Sequence, residues 1–150
     1  MLAFSRASMA SDFLNATHIP VLSAGVVSAL LVRTQGTYLD CTVGEGGHSA
    51  SILTASTPSP HLLGIDLDEA ALKTAQNILA KHSDRVSLLK GNYAEMQELA
   101  AGEGISQVDG ILMDLGLSSL QLEEPDRGFS FQRKAKLDMR FDRQQVKTAW

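Results

Sequence analysis

The chain carries one cysteine, Cys41, which excludes an internal disulfide; such cysteine usage fits a reducing compartment. Its four histidines, at positions 18, 48, 61 and 82, are scattered. With a single thiol beside them they offer no zinc-type ligand spacing, so no metal site is expected. No apolar run approaches the roughly 18 residues of a membrane span. The longest, "VLSAGVVSALLV" over 21–32, is 12 long and alternates small with large side chains. Internal repeats and low-complexity tracts are also lacking. Two nucleotide signatures are missing as well. The dinucleotide pattern G-x-G-x-x-G would need glycine at 44, 46 and 49, where the third position is Ser49, and no G-x-x-x-x-G-K-[ST] phosphate loop occurs.

What remains has the size and composition of one globular domain: 150 residues, 44% apolar and 20% charged. The net charge of −4 is unevenly spread. From Arg127 onward there are seven basic residues and two acids, a net +5, whereas the first 126 residues hold six and fifteen, a net −9. A basic tail on an acidic body is either a solvated surface or a contact for an anion or nucleic acid. The opening "MLAFSRASMASDF" has one Arg, several Ser and no acid before Asp12, a faint transit-peptide character. The expected layout is a lead-in over 1–16, a core over 17–126 and a basic segment over 127–150.

Apolar patterning alternates between two periods. "TYLDCTV" (37–43), "HLLGIDL" (61–67), "RVSLLKG" (85–91) and "VDGILMDLG" (108–116) read as buried strands. Helices are expected over 21–32, over 48–56 until "TPSP" ends it, after Asp68 through "EAALKTAQNILAKH", and over "AEMQELAAGEG". Strands alternating with helices at this spacing predict an α/β, doubly wound, Rossmann-like parallel sheet with right-handed crossovers. In such sheets a ligand sits at the carboxyl ends of the strands, near the point where strand order reverses. That rule selects Gly44–His48, Asp66, Asn92–Tyr93 and Asp114–Ser119.

Asp66 lies 20 residues beyond Gly46 and ends the second strand. A carboxylate there can accept hydrogen bonds from both ribose hydroxyls, a feature shared by NAD and S-adenosylmethionine (SAM) sites; its other reading is a helix cap, for which Asp68 is better placed. Asp114, before the polar loop "LGLSS", can face the adenine side of a cofactor or a substrate amine, which suits a class I SAM-dependent methyltransferase better than a dehydrogenase. His48 opens the first crossover helix and reads more readily as a loop-ordering residue than as a catalytic base.

The segments "HIPVL" (18–22), "DCTVGEGGHS" (40–49), "GIDLD" (64–68), "DGILMDLGLSSLQL" (109–122), "RGFSF" (127–131) and "LDMR" (137–140) occur in that order. Together they resemble the RsmH (MraW) family, methyltransferases acting on N4 of a cytidine in small-subunit ribosomal RNA. The resemblance implies that Gly46, Gly47 and His48 contact SAM, that Asp66 holds its ribose and that Tyr93 stands beside the adenine. It also implies that Asp114 and Gln121 complete the pocket. Family members continue for about as many residues again, so four strands of an expected seven are anticipated here, in an N-terminal fragment whose fourth strand is left as an open edge.

Methyl transfer from an activated sulfonium is mainly a matter of aligning the acceptor. An oxygen acceptor near the cytosine amine would localise its lone pair and take its proton; Asp114, Ser118 and Ser119 are the candidates, unless Asp114 only binds cofactor and the serines only order the loop. The target base must leave its stack, and Phe129 or Phe131 is a candidate platform, each equally readable as core. The basic run from Arg127 to Lys147, with Arg140 and Arg143 at its centre, is the candidate phosphate contact. The alternatives are a SAM- or RNA-binding fragment without activity, and an NAD-dependent oxidoreductase. A cytoplasmic location is expected, or a mitochondrial or plastid one if the lead-in is a transit peptide. No membrane partner is expected, and the oligomeric state stays open, a homodimer included.

Overall fold

The computed structural model describes residues 20–132 and 134–150. The lead-in over 1–16 and Arg133 therefore lie outside the described residues. Four strands, β1 (Thr37–Asp40), β2 (His61–Asp66), β3 (Val86–Lys90) and β4 (Gly110–Leu112), form one parallel sheet in the order β3-β2-β1-β4. The chain steps outward from β1 to β3, then returns to the far side of β1. The reversal falls between β1 and β4.

Among the described residues five α-helices precede, connect or follow these strands: α1 (Ser23–Ala29), α2 (Gly47–Thr54), α3 (Glu69–Ile78), α4 (Met96–Gly102) and α5 (Ser119–Glu123). Alternation along the strands divides the core. Tyr38 and Leu62, paired across β1 and β2, pack with Ile52, Leu53, Leu72 and Ala75 from α2 and α3 on one face. Leu39 and Leu63, the next pair, point the opposite way and pack with Ile65 and Ala100, joined by Met96 and Leu99 of α4. Helices thus cover both faces, as a doubly wound sheet requires. Each Leu buried in this way stabilises the fold by about 1.5–3 kcal/mol.

The first strand stops at Asp40 and the α3 helix at Ile78, each short of the sequence expectation, and three further departures are larger or new. The helix expected over 21–32 spans only Ser23–Ala29 and buries none of its own residues. Leu22 and Leu31 bound it in left-handed conformations (φ 62° and 49°) with their side chains exposed. β4 is three residues rather than nine and pairs with β1 over Gly110–Leu112; its Ile111 is 45% exposed on the open edge. The "LGLSS" loop does not remain a loop to its end. Ser118 caps α5, accepting from the Gln121 backbone N–H at 3.2 Å, while Gln121 Oε1 accepts from the Ser118 N–H at 3.1 Å. This reciprocal box is encoded locally as S-x-x-Q. Among the described residues no helix is long and apolar enough to cross a membrane.

Candidate functional site

The carboxyl ends of the strands open into a cleft of about 670 Å³, within the range of small-molecule sites. Gly47, His48, Asp66, Tyr93, Asp114, Ser118, Ser119 and Gln121 all line it. They converge because each follows a strand end or opens the next helix. Strand order puts the β2 and β3 termini, with Asp66 and Tyr93, toward one side of the cleft, and β4 with Asp114 and Ser118 toward the other.

Asp66 anchors the glycine loop. Its Oδ2 accepts from the Gly44 N–H at 2.8 Å and its Oδ1 from the Asp68 N–H at 2.9 Å. Burial raises its pKa above the ordinary carboxylate range, against the lowering effect of these backbone donors. Each carboxylate oxygen offers two acceptor positions, so Asp66 keeps acceptor capacity toward the cleft after fixing the loop.

The glycines divide their tasks. Gly46, expected at the ligand, is buried and does not line the cleft. Its φ is 91°, and a Cβ there would lie 3.2 Å from both Cα and Cβ of Ala75. Glycine at 46 is therefore explained by the left-handed turn into α2 and by the close approach of α3. Gly47 does line the cleft, packed against Pro20. No side chain caps α2, so its leading N–H groups and positive dipole end sit at the cleft wall, where an anionic group is favoured.

His48 and Asp114 meet across the reversal point, Nε2 to Oδ2 at 3.4 Å. The imidazole is 10% exposed and its Nδ1 is buried without a hydrogen-bond partner, whereas the carboxylate is 68% exposed. Asp114 itself is placed by its backbone N–H, which donates to Thr42 Oγ1 at 2.7 Å. His48 thus backs a carboxylate that reaches into the open. Tyr93 is 42% exposed, positioned by a turn that Asn92 caps through the Ala94 N–H at 2.9 Å.

Asp68 caps α3 as the sequence suggested, but sequence reading passed over Asp40 and over the partnership of Asp68 with Arg127. Asp40 is fully buried, accepting from the Thr42 N–H at 3.1 Å and the Ser49 hydroxyl at 2.7 Å. Burial raises its pKa despite those donors. It could have been found by the logic that selected Asp66 and Asp114, since it too ends a strand. Ser49, where a dinucleotide loop would have glycine, is held by this carboxylate. Burial, and secondarily Asp40, push the adjoining Cys41 thiol up to about 11, which keeps it protonated and unreactive at neutral pH.

Asp68 and Arg127 form the second missed feature. Asp68 caps α3 through the Ala70 N–H at 3.1 Å, while its Oδ2 accepts from Gln121 Nε2 at 3.0 Å and Arg127 Nη2 at 2.7 Å. Burial opposes its charge, but the hydrogen bonds from Arg127 and Gln121 outweigh that and hold its pKa below the usual range. Arg127 also donates to the carbonyls of Arg140 and Phe141, at 3.2 and 3.1 Å. Grouped with the basic tail by composition, Arg127 is in fact buried, an internal tie and not a phosphate contact. Arg140 is likewise engaged, with Nε and Nη2 each 2.7 Å from the Asp138 carboxylate and Nη1 3.0 Å from the Arg143 carbonyl. Phe129 is buried and packs edge-on against Phe141, which leaves Phe131, fully exposed, as the one of the two candidate platforms that can meet a partner. Among the described residues no cluster of His, Cys, Asp or Glu is placed to hold a metal ion.

The model of the MraW methylase family matches residues 15–150. Over 132 residues the chain is 49% identical to a ribosomal RNA small subunit methyltransferase H from Symbiobacterium thermophilum, an alignment covering 88% of this chain and 42% of that protein. A protein of the same name from Sorangium cellulosum is 45% identical over 132 residues, 88% of this chain and 41% of that one. The chain spans about two fifths of the length of the curated relatives it matches. In fold it is similar to NSun6 from Pyrococcus horikoshii, crystallised with SFG (TM-score 0.54, 18% identity, 68% of this chain and 25% of that one). It is also similar to the C-terminal domain of precorrin-6Y C5,15-methyltransferase from Rhodobacter capsulatus (TM-score 0.51, 18% identity, 66% and 50%). With a match that runs from before the first described residue through the basic segment, the chain belongs to the MraW methylase family.

Proposed function

We propose that this chain is the cofactor-binding part of an enzyme that methylates small-subunit ribosomal RNA at N4 of a cytidine, with SAM as donor. The observation that carries the reading is the convergence of Asp66, Tyr93, the Gly47–His48 helix start and Asp114 on one cleft at the strand-order reversal. The residues fit the group. Asp66 offers acceptors for a ribose, Tyr93 an aromatic surface for adenine, and the uncapped α2 start a site for the methionine carboxylate.

SAM supplies a methyl group that is already activated for displacement. The chain's residues then have to orient the acceptor and receive its proton. Asp114 is the group suited to this: its exposed carboxylate accepts a hydrogen bond from the cytosine amine and takes its proton. Ser118 is committed to capping α5, so its hydroxyl acts by ordering this wall; Ser119 opens the same helix on the cleft. On the RNA side, Phe131 with the exposed Lys134, Lys136, Arg143 and Lys147 forms the surface for an unstacked base and its phosphates.

A second reading, cofactor binding without transfer, is favoured by the open β4 edge, where Ile111 and Met113 are 45% and 41% exposed. Calorimetry with SAM and NADH, followed by transfer of labelled methyl to small-subunit RNA, separates the readings. SAM binding with methylation supports the proposal, binding without methylation supports the second reading, and a preference for NADH overturns both.

A further inference from the structure

The cleft has a wall that comes from neither the strand ends nor the helix starts. Phe141 lines it, though it lies in the segment that returns after α5. Three contacts hold this segment in place. Lys90 Nζ, on the last residue of β3, lies 3.0 Å from Asp142 Oδ1. Buried Arg127 donates to the Arg140 and Phe141 carbonyls. The Phe141 ring rests on buried Phe129, centroids 5.4 Å apart and planes inclined by 62°. The Lys90–Asp142 pair ties the segment carrying Phe141 to the end of β3, two residues before the Asn92–Tyr93 turn that lines the same cleft. An aromatic ring anchored by its backbone, supported from one side and half-buried at a cleft wall is suited to a flat heteroaromatic ligand.

We propose that Phe141 is a cofactor-binding residue that supplies, together with Tyr93, the aromatic surface for the adenine of an adenosyl ligand. The inference rests on the reading of the cleft as a SAM site. It extends that reading to a segment 75 residues beyond Asp66 in the chain. It also gives the Arg127–Asp68 pair a role: the buried tie holds the ligand wall.

The test uses the 150-residue chain with S-adenosylhomocysteine and adenosine as probes, read by calorimetry. Phe141→Leu keeps an apolar partner for Phe129 but removes the flat face. It should melt within a few degrees of the parent and bind both probes about ten-fold more weakly. Phe141→Tyr should restore affinity, and Trp150→Ala, at an exposed ring, should leave it unchanged. On the unsubstituted chain, the ring proton resonances of Phe141 should shift when S-adenosylhomocysteine is added, and those of Phe131 should not. Undiminished affinity in Phe141→Leu, or a Phe141 ring that does not respond while the parent binds, overturns the inference and leaves the SAM reading intact. A parent chain that binds neither probe overturns the SAM reading and this inference with it.

Discussion

Replacing Arg127 by Met removes one member of a buried ion pair whose side chains are only 3% and 6% exposed. Neither charge is screened by solvent, so the discount that applies to surface pairs does not apply here. The substitution leaves Asp68 with the Gln121 amide and the Ala70 N–H as donors, and it strips the Arg140 and Phe141 carbonyls of theirs. Breaking such a pair from one side costs about 3–5 kcal/mol, because the remaining charge stays buried. At roughly 2–4 °C per kcal/mol for a chain of this size, the melting temperature should fall by about 10 °C. Replacing both partners, Arg127→Met with Asp68→Asn, removes both charges and should recover more than half of that loss. The pH dependence has a definite sign. The folded Asp68 pKa is depressed, so its contribution is complete above about pH 4 and disappears as pH falls through the folded value. In Arg127→Met this acid-side loss should be smaller. Thermal and urea melts from pH 3 to 7 measure all of it. A single variant within about 1 kcal/mol of the parent at pH 7, or a double variant no better than the single, would refute the argument.

Asp40 titrates in the opposite sense. Its folded pKa is raised by burial, so the carboxyl favours the fold most below about pH 4 and loses that contribution as pH rises through the folded value. Asp40→Asn can still accept from the Thr42 N–H and can donate to the Ser49 hydroxyl. It should therefore be neutral or stabilising in melts at pH 7, with any gain fading toward pH 3; a destabilised variant at pH 7 would show that the charge itself is needed. For the RNA surface, Lys134→Glu with Lys136→Glu should weaken binding to small-subunit RNA and flatten its salt dependence, with SAM affinity unchanged. Equal loss of both affinities in filter-binding and calorimetric titrations would sink that assignment.

The alternation of strands and helices was legible because buried parallel strands and amphipathic helices differ in apolar period, and the topology rule then picked out the residues after each strand. That is why Asp66, Tyr93 and Asp114 reach one cleft. Residues whose roles depend on a distant partner were not legible. Arg127 looks like any other cation of a basic tail until Asp68, 59 residues earlier, is seen beside it. Gly46 sits in a motif that suggests a ligand, yet what it approaches is Ala75, on a helix whose crossing no local pattern specifies. Ser118 and Gln121 differ from both, since the S-x-x-Q box was written in the sequence and passed over in favour of a loop.

Asp66 and Asp68 stand two residues apart and are driven in opposite directions by their surroundings. Asp68 has a full cationic partner in Arg127 and stays charged as a structural node. Asp66 has only backbone donors, and burial raises its pKa. A carboxylate left short of donors at the edge of a cleft gains from any ligand that brings hydroxyls to it, and a vicinal diol brings two. On the proposed reading of the cleft, the arrangement couples binding to structure: one carboxylate orders the glycine loop and keeps acceptor positions beside the cleft, while the other, through Arg127, holds the segment that carries Phe141. Ligand affinity and the stability of the returning segment should then change together when Asp68 is altered, whereas altering Asp66 should affect the glycine loop and the ligand and leave the returning segment in place.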